Sequence, residues 1–125
     1  VRSILLFSNE MSAKIYASSD IFLMPSKTEP CGLSQLISMR YGTVPVVHRV
    51  GGLRDTVIPF TGVEGNGFTF ESFQSGDMMD AIYRAVTCFY QSPDEWNQII
   101  KNNLNKDVSW EKSAKQYLSL YQEVL

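Results

Sequence analysis

The sequence has few of the side chains that usually bind metals or form disulfide bridges. Its 125 residues include two cysteines and one histidine. Cys31 and Cys88 lie far apart and outside any C-x-x-C or Cys/His spacing, so His48 cannot complete a metal cluster with them. We therefore predict no metal site and no cofactor, with both thiols free as in a reducing cytosol.

A strong charge of one sign and a long apolar stretch are also lacking. Eleven Lys and Arg stand against thirteen Asp and Glu, a formal net charge of -2, which leaves no basic footprint for nucleic acid. No segment approaches the roughly twenty apolar residues that cross a bilayer, and the apolar run near the start is too short for a signal peptide. These absences predict a cytoplasmic protein with no nucleic-acid partner and no membrane partner.

Apolar material, in contrast, is plentiful. The chain is 44% hydrophobic and 19% charged, which suffices for one core and argues against disorder. We predict a single domain, or part of one, over residues 1–125. Because the sequence starts at Val1 and enters an apolar run at once, we expect a chain cut from a longer protein, with one side of its sheet incomplete.

Short apolar runs alternate with helical patterns in residues 1–75, the α/β part of the chain. The runs at 3–7, 21–24 and 44–47 are interpreted as strands, and 68–70 as a short edge strand. Parallel strands need crossover connections, which the intervening helices provide. The predicted fold class is therefore α/β, with a Rossmann-like parallel sheet of three to four short strands and flanking helices.

The helices are marked by caps and by apolar residues at helical spacing. Ser8 and Asn9 form a cap signal for the first helix, and the second carries Leu33, Leu36, Ile37 and Tyr41 at helical spacing.

Residues 76–125 predict an all-helical tail. Met78, Ile82 and Phe89 belong to an apolar stripe on its first helix, Pro93 starts the second, and Trp110 leads into the third. We expect that stripe to be core, and Trp110 and Tyr117 to anchor the terminal helix. The stripe also includes Met79, Val86 and Tyr90.

The loop after the second predicted strand carries the candidate catalytic and ligand-binding residues. It holds Glu29, Cys31 and Gly32 and ends where a helix opens at about Leu33. In an open parallel sheet, ligands bind beyond the carboxyl ends of the strands, which is where this loop lies. We predict a phosphate-binding site at the start of this helix. It would be formed by the N–H groups of Gly32, Leu33 and Ser34 together with the helix dipole.

Glu29 cannot itself bind that phosphate, because two anions about 4 Å apart repel by roughly 1 to 4 kcal/mol. We expect it to face hydroxyls or a developing cation, and a sugar supplies both. The loop at Gly51 and Gly52 follows the next strand and would form the neighbouring wall of the site.

Each of these residues also has a structural alternative. Glu29 could pair with Lys27, Cys31 could fill a small buried space, and Gly51 and Gly52 could serve only as turn residues. His48 is as compatible with a structural role as with the pocket edge. Three arginines (Arg40, Arg49 and Arg54) could bind phosphate or act as surface and interhelical partners.

The run E-P-C-G-L-S-Q-L-I-S-M-R-Y-G-T-V-P-V-V-H-R-V-G-G-L-R-D-T-V, which starts at Glu29, resembles the signature of bacterial glycogen synthases and plant starch synthases. These are retaining glucosyltransferases of the GT-B type. The resemblance implies part of the C-terminal, nucleotide-sugar-binding domain. It also implies glucose transfer from a nucleotide-glucose, usually ADP-glucose, to the non-reducing end of an α-1,4-glucan, without a catalytic metal. In a plant the location would be the plastid.

The resemblance also implies roles for individual residues. Glu29 corresponds to the active-site carboxylate beside the transferred glucose, and Cys31 to a thiol lining the same pocket. Gly32, Leu33 and Ser34 correspond to the residues that hold the distal phosphate on backbone amides. Phe7 corresponds to an aromatic position near the base, although a core role is the simpler interpretation.

Two departures from the wider GT-B pattern matter. Where many GT-B enzymes have a second glutamate, eight positions after Glu29, this chain has Ile37, which argues against relatives resembling sucrose-phosphate synthase. The resemblance also implies that the Arg and Lys that neutralise the leaving diphosphate come from an earlier part of the domain, and we expect neither of them within residues 1–125. We therefore expect the chain by itself not to transfer glucose.

Two other functions remain open. One is a non-catalytic module, derived from such a synthase, that binds nucleotide, glucan or a partner. The other is a related GT-B enzyme that uses another sugar nucleotide, although Ile37 and Cys31 favour glucan synthesis. The donor base, the choice between glycogen and starch, and the oligomeric state are not determined by the sequence.

Overall fold

The computed structural model describes residues 2–124, which form three strands and six helices. Along the chain these are α1 (Asn9–Ser18), β1 (Ile21–Met24), α2 (Ser34–Arg40), β2 (Val44–His48), α3 (Gly52–Thr56), β3 (Phe68–Phe70), α4 (Ser75–Gln91), α5 (Pro93–Asn105) and α6 (Trp110–Val124). The predicted α/β class is confirmed. The short helix α3 lies where the sequence predicted only a turn.

The sheet has the order β1-β2-β3, and both pairs of neighbours are parallel. Ile21 pairs with Val44 across the first interface, and Val46 pairs with Phe68 across the second. The carboxyl ends of the strands therefore meet at one edge, and the loops that leave β1 and β2 lie side by side there.

The strand predicted over residues 3–7 is wrong. Residues 2–8 have no regular structure, and the side chains of Leu5 and Phe7 are 100% and 92% exposed. β1 is an edge strand, and among residues 2–124 no segment pairs with its outer side. An apolar run becomes a strand only when a neighbour takes up its backbone hydrogen bonds, so composition alone misled this prediction.

The core lies on both faces of the sheet because β2 alternates its side chains between them. Val44 and Val46 face α4 and α5, while Val47 faces α2 and α3. The first cluster is completed by Phe68, Phe70, Ala81, Ala85, Cys88, Trp96 and Ile99, and the second by Met39, Leu53 and Val57.

The helix α2 forms where its apolar spacing predicts, but of those apolar residues only Leu36 packs against the core. Leu33 and Ile37 are 68% and 42% exposed, while Gln35, Ser38 and Met39 are buried. Two of the three buried side chains are polar. A buried polar side chain usually has a hydrogen-bond partner, and Gln35 has its partners in the loop before α2.

The three helices of the tail differ in how they pack. Within the apolar stripe of α4, Met78, Ile82 and Phe89 lie against the core, but Met79, Val86 and Tyr90 are exposed. Helix α5 buries Trp96 and Ile99.

The expected anchoring of α6 is wrong: Trp110 and Tyr117 are 88% and 60% exposed, and no described side chain of this helix is buried. Amphipathic spacing alone does not bury a helix without a surface to cover. In the part of the chain that the structure covers, no helix has both the length and the apolar character needed to span a membrane.

Candidate functional site

The loop from Pro25 to Leu33, here called the β1–α2 loop, places Glu29 half-buried at the carboxyl edge of the sheet. Its Oε2 lies 3.5 Å from the Ser26 hydroxyl, a weak contact. Throughout residues 2–124 Glu29 forms no ion pair, so the alternative in which Lys27 neutralises it is not realised. The carboxylate thus has no ionic partner in the part of the chain that the structure describes.

Gly51 and Gly52 pack directly on the backbone of the β1–α2 loop. The N–H of Gly52 donates to the carbonyl of Glu29 at 3.1 Å. A Cβ on Gly51 would lie 2.0 Å from that same oxygen, and one on Gly52 would lie 2.5 Å from the Cα of Cys31. Since only glycine permits this approach, the two residues let the segment that follows β2 lie directly against the β1–α2 loop. Gly51 also has a positive φ of 48°, as the turn alternative required.

The buried side-chain amide of Gln35 donates hydrogen bonds to the backbone at Gly32. The Nε2 of Gln35 lies 2.9 Å from the carbonyl oxygen of Gly32 and 3.2 Å from that of Cys31. Gly32 has a φ of 78°, and a Cβ there would lie 2.5 Å from the Gln35 Oε1. Glycine therefore suits this position for two reasons: the positive φ disfavours other residues, and a Cβ would collide with the Gln35 amide.

The two cysteines have opposite environments. Cys31 is exposed in the β1–α2 loop, so the buried-filler alternative does not apply to it. Cys88 is buried in α4, and that burial, with a smaller contribution from Glu95, raises the pKa of its thiol. Of the two thiols, only that of Cys31 is accessible at the carboxyl edge of the sheet.

His48 serves the structural role that the sequence left open. Its Nδ1 lies 2.8 Å from the carbonyl oxygen of Ser26, and its Nε2 lies 3.2 Å from that of Glu71. The buried ring also stacks on Phe70 with centroids 5.3 Å apart. It thus links the start of the β1–α2 loop to the end of β3.

Each arginine considered for phosphate binding contacts a group outside the β1–α2 loop, although only the contact of Arg49 is short. Arg49 pairs with Glu71 at 2.9 Å, and Arg40 reaches towards a carbonyl of α5 at 3.5 Å. Arg54 contacts the carbonyl of Arg49 at the same distance. Among the residues described, no group of three His, Cys, Asp or Glu side chains comes together as metal ligands would.

Phe7 is the one predicted site residue that the structure does not bring to the loop. It belongs to the unpaired residues 2–8, and no aromatic pair or hydrogen bond described for the chain joins it to the β1–α2 loop. The other predicted residues do lie together: Glu29, Cys31, Gly32, Leu33, Ser34, Gly51 and Gly52.

Sequence reasoning missed three side chains that hold this site: Gln35, Thr56 and Ser26. The hydroxyl of Thr56 receives a hydrogen bond from Gln35 at 3.1 Å and donates one to the carbonyl of Gly52 at 2.7 Å. One signal was available: Gln35 follows Gly32 by three residues, so at helical spacing its side chain turns back towards that glycine.

Comparison with known proteins agrees with the resemblance in the sequence. Residues 3–115 match the family model described as glycosyl transferases group 1. The chain is 55% identical over 117 residues to a glycogen synthase of Bacillus licheniformis, and 50% identical over 121 residues to one of Kosmotoga olearia. These alignments cover 92% and 95% of this chain but 24% and 25% of the relatives, so the chain spans about a quarter of their length.

Two solved structures share the fold. The catalytic domain of starch synthase IV from Arabidopsis thaliana, bound to ADP and acarbose, superposes with a TM-score of 0.88 at 37% identity over 98% of this chain and 26% of its own. A sucrose-phosphate synthase from Thermosynechococcus elongatus gives 0.70 at 27% identity over 94% and 28%. The expected GT-B type of fold is confirmed, and with the matched sequence it establishes that the chain belongs to the group 1 glycosyl transferases and is like the glycogen and starch synthases among them.

Proposed function

We propose that this chain supplies part of the donor site of a glycogen or starch synthase. The enzyme would transfer glucose from ADP-glucose, or from UDP-glucose, to the non-reducing end of an α-1,4-glucan with retention. The observation that carries this proposal is the placement of Glu29, half-buried and without an ion pair, on a loop whose backbone is locked by Gly51 and Gly52.

The proposed roles follow from charge. As the bond to the sugar breaks, positive charge develops on the glucose and negative charge on the leaving diphosphate. Glu29 would face the glucose, where its carboxylate accepts hydrogen bonds from hydroxyls and stabilises the positive charge. The N–H groups of Gly32, Leu33 and Ser34 would donate to the distal phosphate, and Cys31 would line the pocket between them.

Phe7 has a conditional place in this proposal. Its assignment to the base end of the nucleotide requires residues 3–7 to pair beside β1, whose outer edge is unpaired in the chain as described. A strand there would bring Phe7 to the same carboxyl edge as Glu29.

We further propose that the 125-residue chain alone does not elongate glucan. The diphosphate leaving group needs cations, and within the described residues Arg49, which follows β2 at the site edge, is already paired with Glu71. Release of ADP from ADP-glucose with glucan elongation by the isolated chain would contradict this.

The function is tested in the full reading frame, by assaying glucan elongation with ADP-glucose and with UDP-glucose. Glu29→Gln keeps the shape of the side chain but removes its charge, so we expect kcat to fall about 100- to 1,000-fold. Glu64→Gln, an exposed carboxylate in the loop before β3, is the matched control and should leave kcat unchanged. A fully active Glu29→Gln enzyme would refute the role of Glu29, and nucleotide binding without any turnover would favour a non-catalytic module.

A further inference from the structure

Gln35 is a fully buried amide that contacts two loops of the site. Its Nε2 lies 2.9 Å from the Gly32 carbonyl, 3.2 Å from the Cys31 carbonyl and 3.1 Å from the Thr56 hydroxyl. The two carbonyls can only accept hydrogen bonds, so the end of the amide that faces them must be the NH₂ group. The structure therefore specifies the orientation of this side chain and its role as a donor.

The opposite end of the amide has no partner. The Oε1 of Gln35 is buried and accepts no hydrogen bond from any residue in the described chain. A buried carbonyl without a donor is unfavourable, and an apolar side chain of the same length would avoid that cost. The amide is thus a poor choice for packing alone, which points to the hydrogen bonds that its NH₂ group donates.

Those hydrogen bonds set the direction of two backbone donors. In a trans peptide the C=O of one residue and the N–H of the next point to opposite sides. Because Gln35 holds the carbonyls of Cys31 and Gly32 towards the interior, the N–H groups of Gly32 and Leu33 point away from it. Neither N–H donates to another group in the described chain.

The Gln35 amide also links Gly32 to Glu29 through a series of hydrogen bonds. Thr56, which accepts from Gln35, donates to the Gly52 carbonyl at 2.7 Å, and the Gly52 N–H donates to the Glu29 carbonyl at 3.1 Å. The middle of the β1–α2 loop, at Glu29, and its end, at Gly32, are thus both linked to the same helix, α3. Loss of the Gln35 hydrogen bonds would leave Glu29 attached to α3 and would release Gly32 from it.

We propose that Gln35 is a positioning residue for donor binding: by holding the carbonyls of Cys31 and Gly32 inward, it presents the N–H groups of Gly32 and Leu33 to the diphosphate of the nucleotide-glucose, at a set distance from Glu29. Gln35 itself touches neither sugar nor phosphate. The inference rests on the proposed function, since it assigns the diphosphate to this loop.

The test compares two buried amides in the full reading frame. Gln35→Met keeps the length and burial of the side chain but removes its donors. Asn103→Leu makes the matched shape-preserving change on α5, where Asn103 is 2% exposed and its amide atoms have no partner in the described chain. The measurements are the Kd for ADP by calorimetry, kcat, the KM values for ADP-glucose and for glucan, and the melting temperature.

For Gln35→Met we expect kcat/KM for ADP-glucose to fall about 10- to 100-fold, with a weaker Kd for ADP and an unchanged KM for glucan. Asn103→Leu should leave all of these constants unchanged, whatever it does to the melting temperature. A Gln35→Met enzyme with native donor constants, or with equal losses for donor and acceptor, would overturn the proposal. If Glu29→Gln abolishes activity while Gln35→Met does not, only the positioning role fails; if Glu29→Gln is fully active, the proposed function fails.

A second pair of variants keeps the test decisive if Gln35→Met does not fold. Thr56→Val removes the hydroxyl that connects Gln35 to Gly52, whereas Thr56→Ser retains it. We expect Thr56→Val to weaken ADP binding in the same direction as Gln35→Met but less, and Thr56→Ser to bind ADP as the unmodified enzyme does. Equal ADP affinities for the two variants would contradict the proposed link.

Discussion

Residues 3–7 and strand β2 are both short apolar runs, but the structure treats them in opposite ways. β2 lies between two parallel neighbours and is buried along its whole length, whereas Leu5 and Phe7 are almost fully exposed. Helices α5 and α6 repeat the contrast: α5 buries Trp96 and Ile99, while no described side chain of α6 is buried. Apolar patterning is therefore not sufficient for burial, because a segment is buried only where another element offers a matching surface.

The largest expected effect is a difference in stability loss between alanine variants of two leucines, one buried and one exposed. Leu53 is fully buried in α3 beside the site, and Leu118 is 59% exposed in α6. We expect Leu53→Ala to lower the free energy of unfolding of the chain by about 2 to 5 kcal/mol, because it leaves a cavity. Leu118→Ala should change it by less than about 0.5 kcal/mol. Urea unfolding measures both, and equal losses would show that α6 is packed after all.

A pair of glycines tests the close contact between the loops. A Cβ on Gly52 would lie 2.3 Å from the carbonyl oxygen of Cys31, so Gly52→Ala must move one backbone against the other, and we expect a loss of about 1 to 3 kcal/mol. Gly76 in α4 has open space around it, so Gly76→Ala should gain up to about 1 kcal/mol of helix stability. A neutral Gly52→Ala would mean that the loops do not touch as described.

The smallest expected effect lies at the start of α6. Hydrogen bonds from Ser109, above all from its backbone N–H at 2.9 Å, lower the pKa of the Asp107 carboxyl. A lowered pKa stabilises the folded turn at pH values above the ordinary Asp value, and that stabilisation is lost as the pH falls through the lowered pKa. We expect the Ser109 amide resonance to titrate below the ordinary Asp pKa of about 3.9.

Asp107→Asn is the control for this titration, since it removes the ionisable group and should abolish the pH dependence of the Ser109 resonance. Because α6 is unburied, global unfolding should not respond to this titration. A coincident loss of core signals would contradict the difference between α5 and α6.

Much of the local structure could be predicted from the sequence. Ile21–Met24, Val44–His48 and Phe68–Phe70 are strands, and Pro93 begins α5. The Ser8 hydroxyl caps α1 by accepting a hydrogen bond from the N–H of Met11. These predictions succeeded because caps, proline and apolar runs act over a few residues. Residues 3–7 failed as a strand because strand formation depends on a distant partner.

The candidate site divides in the same manner. Its position was predictable, because Glu29, Gly32 and Gly51 follow strand ends, and the carboxyl ends of parallel strands meet at one edge. The links that shape it were not, since Gln35 and Thr56 are 21 residues apart and the sequence does not report which polar side chain turns inward. Burial of a polar group depends on the partners that the whole fold brings to it.

By itself, then, the sequence determined the α/β class, most element positions and the family, because those are written in local spacing and in a long motif that starts at Glu29. The tertiary structure alone decided which apolar residues are buried, why Gly51 and Gly52 admit no side chain, and how Gln35 holds the loop beneath Gly32. The physical reason is that burial, close approach and hydrogen-bond satisfaction are properties of pairs of segments, which meet only when the chain is folded.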